Sequence, residues 1–475
     1  MSLLNKIKNP GLKQELQHED FFNDLREKEY SRLDKEGQVY LDYTGGNLYA
    51  ESQIKKHFEV LKNNTFGNPH STNPTSKLST QLVEEARAKV LDFFNAQDYY
   101  CVFTQNASMA LKIVGECYPF EDKGEFLLLT DNHNSVNGIR EYCAQKGGHY
   151  AYVPMNFTDL SIPEDILSKK LEVSSKSNKL FAFPAQSNVS GVKHSLDWIE
   201  KAQRLGWDVL LDAAAYVPSS RLDLSQHKPN YVSISFYKIF GYPTGIGCLL
   251  IRKDSFSKLH KNWFAGGTVS FASAVAPYHF LFDNHERFEN GTLNYIDIPA
   301  VKIGLDYIEA IGMNKLSERV ASLKNYLYAH LVDLKHESGQ NQVEIFGSPT
   351  SVHSGGTLVM TFKNPDGSKI AYEKIEELAN RHTISIRSGC FCNPGLDETT
   401  NCLTSDEIAK YFSSPEKIDY EALIRSLKLM RGATRVSVGI ATNKKDLDAF
   451  IDFVIHLKDQ SISHDAFVPL KSSAN

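Results

Sequence analysis

Between Tyr99 and Asp212 short apolar runs alternate with amphipathic stretches, and this alternation constrains the fold more than any other feature of the chain. Tyr99–Thr104, Phe126–Thr130, Leu180–Pro184 and Asp208–Asp212 have the length and composition of strands. Ser108–Gly115, Val136–Lys146 and Ser195–Leu205 carry helical spacing, as does Ser76–Phe94 before them. Strands and helices in this order predict an α/β fold with a doubly wound, mostly parallel sheet. The helices Ile298–Ile311 and Lys315–Leu334 lead out of it. Beyond them, strands at Val343–Gly347, Gly356–Phe362 and Ile384–Arg387 mix with helices at Ile370–His382, Tyr420–Arg431 and Lys444–Leu457, the pattern of a smaller α+β domain. The expected organisation is an N-terminal arm or helix over 1–38, a large domain over 39–313, a small domain over 314–458 and a tail over 459–475.

Chemistry concentrates where the strand runs end. Tyr231–Phe236 alternates polar and apolar residues, bends at Tyr237-Lys238, passes Gly241, Pro243, Gly245 and Gly247, and resumes as the apolar run Cys248–Ile251. A lysine held between two buried strands is desolvated, which lowers its pKa and makes its amine a nucleophile toward aldehydes. Alone, Lys238 reads more readily as a loop lysine that snorkels to water. Upstream, WDVLLDAAA is an apolar run that ends in Asp212, a carboxylate at the strand end where open α/β sheets bind ligands. A strand-end aspartate and a strand-turn lysine form the pair a pyridoxal phosphate site needs: the lysine carries the cofactor as an imine and the aspartate keeps the pyridine nitrogen protonated.

With these residues the chain resembles the class V aminotransferase-like enzymes, pyridoxal phosphate enzymes of fold type I. SFYKIFGYPTG is most similar to the cysteine desulfurase-like N-terminal domain of molybdenum cofactor sulfurases. The resemblance runs from about Val39 to Leu457 and implies a large sheet domain of the seven-stranded type plus a small C-terminal domain. CVFTQNASMALKIV places Ala107 and Ser108 at a helix N-terminus, a natural anion site, and the resemblance makes these the phosphate contacts together with Ser235 and Tyr237. It implies that Thr268, in WFAGGT, reaches the phosphate of a partner subunit, hence a homodimer. His133 matches the histidine stacked on the pyridine ring, and Asn188 an asparagine near the cofactor's phenolic oxygen and the substrate carboxylate. Cysteine desulfurases usually carry a glutamine three residues after the aspartate, and here that residue is Ala215, a departure that favours the cofactor sulfurase branch.

In RSGCFCNPG the resemblance places the sulfur nucleophile at Cys392, with Cys390 the weaker candidate. Cys-x-Cys without a second pair is poor zinc spacing, so no metal site is expected. Arg435, supported by Arg387, is implied as the anchor of the substrate carboxylate, a role that suits a planar fork. The implied reaction converts L-cysteine to alanine and leaves a persulfide on Cys392 for an acceptor protein or small molecule. Full-length cofactor sulfurases add a C-terminal domain, and the chain is expected to be a stand-alone donor half. Transamination or lyase chemistry on another amino acid is the alternative, and a cofactor-free interaction protein is the third reading.

The totals fit an ordinary cytoplasmic protein. Fifty-two basic residues against 57 acidic ones argue against a general nucleic-acid or anionic-membrane partner. Seven cysteines spread along 475 residues do not read as a disulfide framework. The N-terminus has no long apolar core of a signal peptide, and no apolar run has the length of a membrane span.

Overall fold

The computed structural model describes residues 16–121, 123–172, 178–347, 353–400, 409 and 432–462. After a short first strand, β1 (Val39–Tyr40), the chain builds its large sheet from β2 (Tyr99–Thr104), β3 (Glu125–Leu129), β4 (His149–Val153), β5 (Lys179–Pro184), β6 (Asp208–Asp212), β7 (Tyr231–Ser235) and β8 (Gly247–Arg252). Their spatial order is β2-β8-β7-β6-β5-β3-β4. All neighbours are parallel except that β8 runs against both β7 and β2. The doubly wound, mostly parallel, seven-stranded sheet expected from the sequence is therefore present.

Both faces of the sheet are covered, and alternate residues of each strand feed two separate cores. Leu127, Phe181, Phe183, Val209 and Leu211 point into the larger core, which continues through the helices Pro74–Phe93, Ile298–Ile311 and Met313–Leu331. Phe126, Leu128, Leu180, Ala182 and Leu210 point into the smaller one, against Ala110, Leu111 and Val114 of the helix Ala107–Cys117 and Ile139 and Cys143 of the helix Ile139–Gln145. Strand β4 escaped the sequence reading because HYAYV sits at the sheet edge, half-exposed and without a long apolar run.

A two-stranded hairpin, β9 (Val269–Ala272) with β10 (His279–Leu281), projects from the large domain. The small domain holds β11 (Val343–Phe346), β12 (Thr357–Phe362), β13 (Ile384–Ser385), β14 (Arg387–Gly389) and β15 (Ala433–Ser437). Four of these form an antiparallel sheet in the order β11-β12-β15-β14. The expected helix Tyr420–Arg431 lies outside the described residues, and the tail is described only as far as residue 462.

The N-terminal segment binds the two domains together. Strand β1 pairs with β13, and Asp42 bridges Ser437 of β15, so residues that a boundary at 39 assigns to the large domain find their strand partners in the small one. The arm ahead of it forms the helix Glu19–Glu29, which buries Phe22 and Arg26. Arg26 donates to Asp446 (2.6 Å) and to the carbonyl of Ala441 (2.6 Å). Among the described residues no helix is long and apolar enough to cross a membrane.

Candidate active site

Strands β2, β3, β5, β6 and β7 all run toward the same edge of the large sheet, so the loops that follow them converge there. They enclose a cavity of about 340 Å³ lined by Ala107, Ser108, His133, Asn188, Asp212, Ser235, Tyr237 and Lys238. Eight residues drawn from five segments of the sequence thus share one space.

One end of the cavity is built for an anion. The helix Ala107–Cys117 begins after Asn106, whose side chain caps it by accepting from the amide of Met109 (3.0 Å). First-turn amides have no intrahelical acceptor, so those of Ala107 and Ser108 remain for a ligand. Gly247 lets this turn close on the sheet, because a Cβ there would lie 2.8 Å from the backbone of Asn106. Ser235 and Tyr237 reach the same cavity from the end of β7.

Lys238 sits in the one-turn helix Phe236–Phe240, which buries Phe236, Ile239 and Phe240 and leaves the lysine facing the cavity. Gly241 ends that turn with φ of 80°, and a Cβ on it would collide with the backbone of Leu48 and Tyr49. Burial lowers the Lys238 pKa, against the opposing pull of the Asp212 carboxylate. Asp212 Oδ1 is fixed by the amide of Ala214 (3.1 Å) and the hydroxyl of Ser233 (2.9 Å). His133 Nδ1 accepts from the amide of Ser135 (3.1 Å), which places the proton of the neutral ring on Nε2. Burial lowers the His133 pKa, and Asp212 offsets part of the effect.

The class-V aminotransferase family model matches residues 39–450, from β1 to beyond β15. The chain belongs to that family. It is 36% identical over 467 residues to the molybdenum cofactor sulfurase of Homo sapiens, covering 91% of this chain and 51% of that protein. To the molybdenum cofactor sulfurase of Arabidopsis thaliana it is 35% identical over 477 residues, covering 91% and 57%. The chain spans about half the length of the curated relatives it matches. Its fold is that of the apo cysteine desulfurase from Thermococcus onnurineus, with a TM-score of 0.77 at 22% identity over 92% of this chain and 97% of the other. A cysteine desulfurase from Escherichia coli superposes with a TM-score of 0.73 at 19% identity, over 92% and 98%. At these identities the likeness establishes the fold.

A class-V aminotransferase of fold type I is a pyridoxal phosphate enzyme. The residues present fit that cofactor: an anion-binding helix terminus, a fixed carboxylate for the ring nitrogen and a buried lysine for the aldehyde share one cavity.

The cysteine segment is seated on this cavity by a network that sequence reasoning missed. Asn134 N–H donates to the carbonyl of Cys392 (2.7 Å), and the side chain of Asn188 to that of Phe391 (2.8 Å). Asn393 donates to Asp131 Oδ1 (2.8 Å) and to Asn188 Oδ1 (3.2 Å). Asp131, almost fully buried, also accepts from Ser187 (2.8 Å) and pairs with His194 (3.1 Å). Phe391 and Cys392 both have left-handed backbone, with φ of 53° and 55°, a conformation non-glycine residues adopt only when held. The signal for Asp131 was available, since like Asp212 it is a carboxylate just past a buried strand. Asn393 reads in sequence only as a turn residue before proline.

Arg387 and Arg435 lie directly opposite each other on β14 and β15, and Asp42 stands between them. Its Oδ1 accepts from Arg435 Nη2 (2.7 Å) and its Oδ2 lies 3.2 Å from Arg387 Nε. The two arginines differ in setting, with side chains 3% and 55% exposed for Arg435 and Arg387. Arg435 Nη1 also donates to the carbonyl of Asn188 (2.7 Å), and its guanidinium lies 4.8 Å from the centroid of the Phe391 ring. Thr268 is elsewhere: it is buried, bonded to Ala265, and its loop borders a second cavity lined by His70 and His285.

Proposed function

We propose that this enzyme removes sulfur from L-cysteine, leaving alanine and a persulfide on Cys392 that is passed to a protein or small-molecule acceptor. The observation that carries this reading is the seating of an exposed cysteine, through its own carbonyl, on the loop that bears His133. Names of relatives and fold neighbours support it, and so does Arg435 stacked against Phe391, next to that cysteine.

The roles follow from placement. The amides of Ala107 and Ser108, with Ser235 and Tyr237, would hold the cofactor phosphate, and Asp212 would pair with the ring nitrogen. His133, whose pKa burial lowers, would pack against the ring as a neutral imidazole. When bound, pyridoxal phosphate supplies an electron sink conjugated to the substrate's α-carbon. Lys238 would be the residue that holds the cofactor aldehyde, and its amine, whose pKa burial lowers, would move the substrate's α-proton. Arg435, with Arg387 at the open side, holds the substrate carboxylate, and Asn188 lines the space between. The Cys392 thiolate attacks the substrate sulfur: a sulfur–sulfur bond forms, the substrate's carbon–sulfur bond breaks, and the electron pair left on carbon takes a proton. Cysteine plus thiol thus becomes alanine plus persulfide, with no external oxidant.

The working unit in this reading is a homodimer in the cytoplasm. The β9–β10 hairpin exposes Phe271, Val275, Tyr278 and Phe280, an apolar surface that a second copy covers, and the loop that ends in Thr268, with Trp263 and Phe264 exposed on it, then lies toward the partner's site. A reducing compartment keeps Cys392 a thiol.

The test is to supply L-cysteine to the reconstituted enzyme and quantify alanine and protein persulfide. Equal amounts of both in the wild type, and neither in Cys392→Ala with an unchanged cofactor absorption band, support the reading. A Cys392→Ala enzyme that still releases alanine at the wild-type rate overturns it.

A further inference from the structure

Gln186, a polar residue of the cavity wall, has no task in this scheme. Gln186 follows β5, is 3% exposed, and lines the cavity beside Asp212 and Ala215. Its Oε1 is buried without a hydrogen-bond partner, and its Nε2 has none among the described residues either. Oε1 is the end shut away from the cavity, packed so closely on Gly355 that a Cβ there would lie 2.3 Å from it, which leaves Nε2 as the end that can donate to a ligand. Gln186 and Ala215 also line the small cavity of about 30 Å³ that borders Thr44, Gly356 and Thr357, so the two form the wall between it and the cofactor space.

We propose that the Gln186 carboxamide donates to the ring hydroxyl oxygen of bound pyridoxal phosphate, an inference that rests on the cofactor fit described above. The cofactor's own substitution pattern locates that oxygen. Its phosphate arm and its hydroxyl flank the aldehyde carbon on opposite sides. With the phosphate at Ala107 and Ser108 and the ring nitrogen at Asp212, the hydroxyl would be left to the part of the lining that Gln186, Asn188 and Ala215 supply. Ala215 ends at Cβ and offers no donor. Asn188 has already committed one N–H to Phe391 and its oxygen to Asn393. Gln186 is the side chain on this wall with an uncommitted N–H₂ group.

A donor at that oxygen has a spectroscopic consequence. The hydroxyl oxygen is negative, and while the adjacent lysine-bound nitrogen carries its proton that charge is shared. Once the proton leaves, the donor holds the charge alone, so it favours the deprotonated form and lowers the pH at which the visible band changes.

The test is a pH titration of the visible spectrum of protein reconstituted with pyridoxal phosphate, for wild type, Gln186→Leu and Gln186→Glu. Loss of the donor in Gln186→Leu raises the midpoint by about one pH unit. Gln186→Glu keeps the side-chain shape and, with a carboxylate against the ring oxygen, raises it further. Midpoints equal to wild type in whichever variants fold overturn the proposal while leaving the cofactor assignment intact. A wild-type protein that gains no visible band fails the parent reading instead.

Discussion

Arg435 donates from Nη2 to Oδ1 of Asp42 at 2.7 Å, and the same carboxylate reaches Arg387 with its other oxygen. Two arginines directly opposite on neighbouring strands repel, and Asp42, delivered by the N-terminal segment, is what makes the pair tolerable. Removing it strands a buried guanidinium. Asp42→Ala is expected to destabilise the fold by about 3 kcal/mol, the scale for breaking one side of a buried ion pair. It also raises the KM for L-cysteine, because the Arg435 fork loses one of the two contacts that orient it. Chemical denaturation and steady-state kinetics check the two effects separately. Wild-type stability in the variant would mean that water or Asn188 replaces the carboxylate.

His133 gives the fold a defined pH response. Its pKa is lowered by burial, so the unfolded chain takes up a proton on this residue more readily than the folded one. The stability it contributes is complete above the unfolded value of about 6.5 and is lost as pH falls through that value toward the lower folded one. His133→Asn keeps a side chain that can accept from the Ser135 amide and removes the titration. The melting temperature of the wild type is expected to drop more than that of the variant between about pH 7.5 and pH 5.5. Parallel losses in both proteins would assign the acid sensitivity to other groups.

The mostly parallel sheet and the depth of its core were legible because β5 and β6 are buried on both faces and read as apolar runs. Lys238 and Asp212 were legible for a related reason, since a charge at the end of such a run has few structural uses. The half-exposed strand β4 lacks that signature. The helix Glu51–Asn63 was also missed, because its buried residues are the polar Gln53 and His57, held by hydrogen bonds and invisible to apolar spacing. The seating of the cysteine segment depends on Asp131, Asn188 and Asn393, which lie hundreds of residues apart in places and make contacts no local pattern encodes. Asp42 is hidden similarly, placed by a single bridge to Ser437.

The exposed hairpin makes the oligomeric reading testable. Phe280 and Tyr278 are each about two-thirds exposed in the single chain and, with Phe271 and Val275, give the hairpin an apolar surface of the kind that marks an interaction site. Phe280→Asp places a charge in the middle of that surface. Sedimentation equilibrium is expected to give twice the chain mass for the wild type and the chain mass for the variant. A wild type that sediments as a single chain would remove the hairpin's proposed partner and the role given to Thr268.

Asn393 holds the segment bearing the proposed nucleophile, and its loss separates cofactor binding from sulfur transfer. Its amide joins Asp131 to Asn188, while the amide of Leu396 donates to its Oδ1 (3.3 Å), so one side chain fixes the turn that follows Cys392. Asn393→Ala leaves the buried Asp131 with fewer donors, a cost of about 1–3 kcal/mol in stability. It also releases the left-handed backbone at Phe391 and Cys392, which only neighbouring contacts maintain. None of the groups at the phosphate or ring nitrogen is touched. The variant is therefore expected to keep the visible band of bound pyridoxal phosphate while persulfide formation falls about tenfold or more, in line with a reacting atom displaced from its attack position. Absorption spectroscopy and persulfide quantification on one preparation read both quantities. Loss of the band together with activity would instead place Asn393 in the support of the cofactor cavity.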